Sequence, residues 1–245
     1  MTILFSDIRS FTSLSEKMTP QENFNFLNGL LKRIGPLIRQ NDGFIDKYIG
    51  DAVMALFPDK VDHALDAAIQ MRQLLVTYNA LREQKGYVAI DIGIGIHAGN
   101  LMLGTIGEEE RMEGTVISDA VNLASRLEGL TKVYQCPILT TQQAQSRLMN
   151  PEKYNIRTID HVKVKGKADA VTVVEIIDGE REELFEKKIQ TKPDFEQALR
   201  SYAARDLSLA GDLFRKVLER NPADKAAHLF AERISQLKLT GIPDE

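Results

Sequence analysis

One cysteine, no tryptophan and no long apolar run set the first limits on this 245-residue chain. Cys136 has no second cysteine to pair with, so no internal disulfide forms and a reducing compartment is expected. No stretch approaches the roughly 18–20 apolar residues that span a bilayer, and no signal-peptide pattern opens the chain. A cytoplasmic protein with no direct membrane segment is the expectation. An excess of positive charge is missing too. The net charge of −4 argues against a nucleic-acid partner held by phosphate neutralisation. What remains, 43% hydrophobic and 27% charged, is ordinary globular composition, with length for one large domain or a medium one with an appendage.

"TILF" at Thr2–Phe5 reads as a buried strand beginning with no lead-in, as in a piece cut from a longer chain. Thr19-Pro20-Gln21-Glu22 is a capping box with proline at the first helical position, opening a helix to about Gln40. "GFIDKY" and "AVMALF" read as two strands around a Gly-containing turn, and Val61–Gln84 as a second long helix. "YVAIDIGIGIHAG" and "NLMLGTIG" are expected to pair as a long hairpin, followed by a third helix over Val121–Leu130 capped by Ser118 and Asp119. Further strands close this region near Asp178. "EREELFEKK" then reads as a solvated charged helix or linker, and Pro193–Leu239 as apolar helical pattern with partial tetratricopeptide-repeat spacing. The division expected is a domain over residues 1–178 and a charged linker with helical extension over 179–245.

The strand "TILF" delivers Asp7 at its end. A lone buried carboxylate is costly, so Asp7 either caps the next helix or meets a second carboxylate. Asp51, in the turn of "KYIGDAV", can supply that second group. Two carboxylates at strand ends make a hard-oxygen site suited to Mg²⁺ or Mn²⁺, the apparatus of in-line displacement at phosphorus. Asn122 and Arg126 lie four residues apart, hence on one helix face, where a guanidinium can meet phosphate or simply form an ordinary surface pair. "GIGIHAG" lacks the strand-to-helix setting of a dinucleotide fingerprint and reads as structural, with His97 a packing or hydrogen-bonding residue.

Taken together, "ILFSDIRSFT", "GFIDKYIGDAVMALF", "GIGIHAGNLMLGTIG", "GTVISDAVNLASRLE" and "VKVKGKAD" resemble the catalytic domain of class III nucleotide cyclases, over about Thr2–Asp178. The resemblance implies an α+β fold: a ferredoxin-like βαββαβ core with an added β arm, here followed by a small all-α, TPR-like appendage. It also implies a head-to-tail homodimer with active sites at the interface. Asp7 and Asp51 then match the pair that binds two divalent metal ions, Mg²⁺ or Mn²⁺, with the Ile8 carbonyl as an extra ligand. Asn122 matches the ribose-orienting asparagine and Arg126 the arginine that stabilises the pentavalent phosphate. Lys165, rather than Lys167, matches the lysine on the terminal phosphates, and Lys47 and Thr115 match the two base-reading positions.

Implied is an adenylyl cyclase that converts ATP to 3′,5′-cyclic AMP and pyrophosphate. Lys47 only donates and Thr115 can accept, which suits adenine N1 and N6 and sets Lys47 against a donor on guanine. Thr115 resembles the class IIIb subgroup, in which bicarbonate stimulation is found. The rivals are a guanylyl cyclase and a cyclase-like module that dimerises without turnover. A diguanylate cyclase is disfavoured because "YIGDAV" lacks its signature. An upstream regulatory or sensor domain is expected as a partner of the missing lead-in.

Overall fold

The computed structural model describes residues 1–108, 111–163 and 170–240, with the side chains of 111–113 left aside. A seven-stranded sheet runs in the order β2-β3-β1-β4-β7-β9-β8. Its first four members are β1 (Thr2–Ile8), β2 (Phe44–Ile49), β3 (Ala52–Phe57) and β4 (Ile92–Ala98). They are all antiparallel neighbours, and with α2 (Pro20–Gln40) and α3 (Val61–Gln84) they complete the expected βαββαβ unit. β1 is interior because β3 and β4 flank it, and Thr2–Phe5 is accordingly buried on both faces. α2 begins as its sequence dictates: Thr19 accepts from the Glu22 amide and Glu22 accepts in return from the Thr19 amide.

Beyond β4 the sheet continues through β7 (Ile138–Thr141), which runs parallel to β4, then β9 (Ala170–Ile176) and β8 (Ile156–Lys163). The hairpin expected from 87–107 does not form. β4 is buried along its whole length and uses both edges, on β1 and β7, while β5 (Met102–Glu108) leaves the sheet and pairs with β6 (Arg111–Ile117). Those two strands are the added arm. Met102, Leu103, Ile106 and Ile117 on it are all more than half exposed.

Side-chain alternation divides the layers. Leu4 and Ile8 face α2 and α3, whereas Ile3 and Phe5 face α4 (Asp119–Tyr134). α4 lies close on β4 because Gly95 has no side chain: a Cβ there would stand 2.1 Å from the Glu128 amide nitrogen and 2.5 Å from the Ala124 carbonyl. The glycines of "GIGIHAG" are thus structural, as read. His97 is buried against Thr141 Oγ1 at 2.8 Å.

The C-terminal helices α6 (Glu182–Ala203), α7 (Leu207–Arg220) and α8 (Lys225–Thr240) follow a short helix, α5 (Gln142–Gln145), and η-turn segments. Phe195, Phe214 and Phe230 form one cluster with Leu139, Ile159 and Val173 of the sheet and Leu123 and Leu127 of α4. The charged run before them is helical but not wholly solvated. Lys188 is buried, bonded to Glu175 of β9 and to Glu180. Arg157 of β8, fully buried, bridges Glu175 at 2.7 Å and Asp224 at the start of α8. Burial alone would raise the Glu175 carboxyl, but Arg157 and Lys188 outweigh it and hold the group well below the ordinary carboxylate range.

Candidate active site

Alternation along β1 puts Asp7 on the α4 side, after Ile3 and Phe5, at the point where the strand ends. The tight β2–β3 turn, with Gly50 at φ +64°, returns Asp51 to the same point. Asp51 Oδ2 accepts the Ile8 amide at 3.3 Å. Burial, then a hydrogen bond and repulsion from Asp7, push the Asp51 carboxyl up to about 6. The two carboxylates of the sequence reading therefore meet. Asp7 does not cap the following helix α1 (Phe11–Ser15), whose N-cap is Ser10, with no side-chain capping bond.

Three further groups surround Asp7. Lys132 Nζ donates to Asp7 Oδ2 at 2.7 Å and stands 3.6 Å from Glu128 on the same helix. Burial and then Asp7 raise the Glu128 carboxyl, while Asp7 and Glu128 raise Lys132. Arg9, two residues on, donates to the carbonyls of Thr131 and Cys136 and fixes the end of α4 beside β1. Lys132 fell outside the third helix as read, which ended at Leu130, and Glu128 and Arg9 carried no local sign of their partners. It continues to Tyr134 and stops where Gln135 turns left-handed at φ 54°. The i,i+4 spacing of Glu128 and Lys132 was the available signal.

Asn122 and Arg126 lie on α4 and are exposed. Arg126 and Glu128 are about 200° apart around the helix, so the Asn122–Arg126 face is not the one that meets Asp7 of the same chain. Lys47 is on β2, 3.4 Å from Asp46, and Thr115 is on β6, in the separate two-stranded sheet. Lys165 and Lys167 lie outside the described residues. Among the described residues no three His, Cys, Asp or Glu side chains converge as a metal cluster. The donor set at Asp7 and Asp51 nevertheless suits a hard cation. It offers two carboxylates, one of them pushed up to about 6 by burial and by the other, and a lysine ammonium already against one of them.

A core of this order, carrying paired carboxylates at the end of its central strand, has close relatives. Residues 1–176 match the family described as the adenylate and guanylate cyclase catalytic domain, and the chain belongs to that family. An adenylate cyclase of Anabaena cylindrica is 52% identical over 182 residues, covering 72% of this chain and 36% of the relative. The terminal-differentiation specific adenylate cyclase of Dictyostelium discoideum is 39% identical over 244 residues, covering 96% of this chain and 11% of the relative. The chain thus spans well under two thirds of either relative. Among solved structures, the adenylyl cyclase CyaB from P. aeruginosa is 29% identical with a TM-score of 0.64, covering 74% of this chain and 94% of that one. The guanylyl cyclase Cya2 is also 29% identical, with a TM-score of 0.62, covering 72% of this chain and 90% of that one. Among the described residues, no helix is long and apolar enough to cross a membrane.

Proposed function

We propose that this chain is an adenylyl cyclase, turning ATP into 3′,5′-cyclic AMP and pyrophosphate in sites shared by two copies of itself. The observation that carries this is the meeting of Asp7 and Asp51 at the end of β1 within a cyclase catalytic domain. The pair, with the Ile8 carbonyl, would hold two Mg²⁺ or Mn²⁺ ions, which supply activation of the ribose 3′-hydroxyl and charge neutralisation at the phosphates. The protein's own work is positioning and charge stabilisation. Asn122 orients the ribose, Arg126 faces the charge that grows on the α-phosphate, and Lys165 holds the terminal phosphates. Lys47 donates to adenine N1 and Thr115 accepts from N6, which disfavours guanine.

A shared site is supported by two features. The Asn122–Arg126 face of α4 is exposed and turned away from Asp7 of its own chain. The β5–β6 arm exposes an apolar row, which a two-stranded ribbon sustains poorly alone. We read residues 1–178 as the catalytic domain and 179–245 as its helical, TPR-like extension. An upstream sensor remains part of this proposal, as do bicarbonate stimulation and a cytoplasmic location.

The test is cyclic nucleotide formation from ATP and from GTP with Mn²⁺ or Mg²⁺, beside Asp51→Ala. Cyclic AMP from ATP that vanishes in the variant is the expected result. Preferential turnover of GTP would make the chain a guanylyl cyclase. Nucleotide binding by the dimer without turnover would make it a regulatory module.

A further inference from the structure

Away from the carboxylate pair, between α1–α2 and the end of α3, lies a groove of about 580 Å³, a size that takes a small molecule. Its deepest polar group is Arg82. That side chain is 6% exposed, and among the described residues its Nη2 has no hydrogen-bond acceptor. Buried guanidinium groups ordinarily find acceptors for their N–H groups, so an orphan here points to something absent. Its position is fixed: Nε donates to the Val88 carbonyl at 2.8 Å, and the guanidinium carbon lies 4.7 Å from the Phe26 ring centre and 5.5 Å from that of Tyr87.

The groove's charge is mostly positive. Lys17, Arg33 and Lys85 join Arg82 along it, against one acid among the described lining residues, Glu22, whose carboxylate accepts from the amide and hydroxyl of Thr19. The remaining wall is mostly apolar, with Leu14, Met18, Leu81 and Val88, the last two half exposed or more, beside Asn25. That wall is built rather than floppy. The Tyr87 amide bonds back to the Arg82 carbonyl, and Asn79 holds both the amide and the carbonyl of Ile90.

We propose that this groove binds a small amphipathic anion, its carboxylate or phosphate head on Arg82 and its apolar body along Leu14, Met18, Leu81 and Val88. The head would satisfy the orphan donor with a charge-assisted bond, and the rim cations would favour its approach. The proposal is independent of the nucleotide chemistry. The same loop also reaches the catalytic end of β1, because the Asp91 carbonyl accepts the Arg9 amide at 2.8 Å.

The experiment is calorimetric titration of the full chain with octanoate, octyl phosphate and, as the neutral control, octanol. At least one anion is expected to bind saturably and about tenfold or more tighter than octanol. Which anion binds tells a carboxylate head from a phosphate head. Arg82→Gln should weaken that binding about tenfold. Because buried Arg82 also braces the loop, Leu81→Glu at a half-exposed position gives a second variant in which an added negative charge repels the anion; it should bind weakly too. Octanol binding as well as the anions, no saturable binding of either anion, or undiminished binding by both variants would overturn the proposal.

Discussion

Lys132 Nζ stands 2.7 Å from Oδ2 of Asp7, across 125 positions of sequence. This ammonium sits where a metal's charge would act, so it competes for the oxygen that the cation needs. Lys132→Met should therefore tighten Mn²⁺ binding, lowering the half-saturating concentration about 3–10-fold at low ionic strength. Titration of Mn²⁺ by its paramagnetic signal checks this. Weaker binding in the variant would mean that Lys132 supports the metal site rather than opposing it.

Asp51 sets a pH dependence with a definite sign. Folded, it keeps its proton up to about pH 6, whereas the unfolded chain releases it near the ordinary value of about 4. Between those values the folded state binds more protons, so stability falls as pH rises through the window and stays lower above it. Asp51→Asn removes the loss while keeping an acceptor for the Ile8 amide. Because Asp51 is only half buried, the gain is discounted to about 1 kcal/mol at pH 7.5 without metal. Thermal melts should show the variant more stable at pH 7.5 and level with the parent at pH 4. Equal melting at both values would contradict the crowding of the two carboxylates.

Gly95 allows α4 to rest on β4, and a methyl group there meets helix backbone that cannot move aside alone. Gly95→Ala should cost about 1–3 kcal/mol and shift the helix that carries Asn122 and Arg126. Chemical denaturation and turnover should fall together. A variant of parental stability would show that the helix has room to spare.

The helical extension is fastened by buried charge as well as by phenylalanines. Arg157→Ala leaves Glu175 and Asp224 buried without their shared cation, and about 3–5 kcal/mol of stability should be lost. A chain ending at Asp178 would expose the apolar face formed by Leu139, Ile159 and Val173, and should aggregate or melt at lower temperature. Unchanged solubility and melting after truncation would show the catalytic sheet to be complete without the helices.

Legibility of the sequence followed how local each feature's cause is. α2 and α3 were readable to their ends because a capping box and apolar spacing lie within the segments themselves. Asp7 and Asp51 were readable as a pair because a turn predicts where a chain returns. The partner of β4 was not, since nothing in "GIGIHAG" says that β1, ninety residues earlier, will take its edge. Lys132 and Glu128 escaped for the same reason: their meaning depends on Asp7. Lys188 read as part of a solvated charged run and Arg157 drew no reading of its own, because burial of an ion is decided by partners brought together only on folding.

The central claim is that one copy supplies Asp7 and Asp51 while the other supplies Asn122 and Arg126. Mixing Asp51→Ala with Arg126→Ala, each inactive alone, tests it directly. In a mixed dimer one of the two sites regains every group, so random exchange should restore cyclic AMP formation to about one quarter of the parental rate. A mixture as silent as its components, under conditions where dimers exchange, would mean that all four residues serve within a single chain.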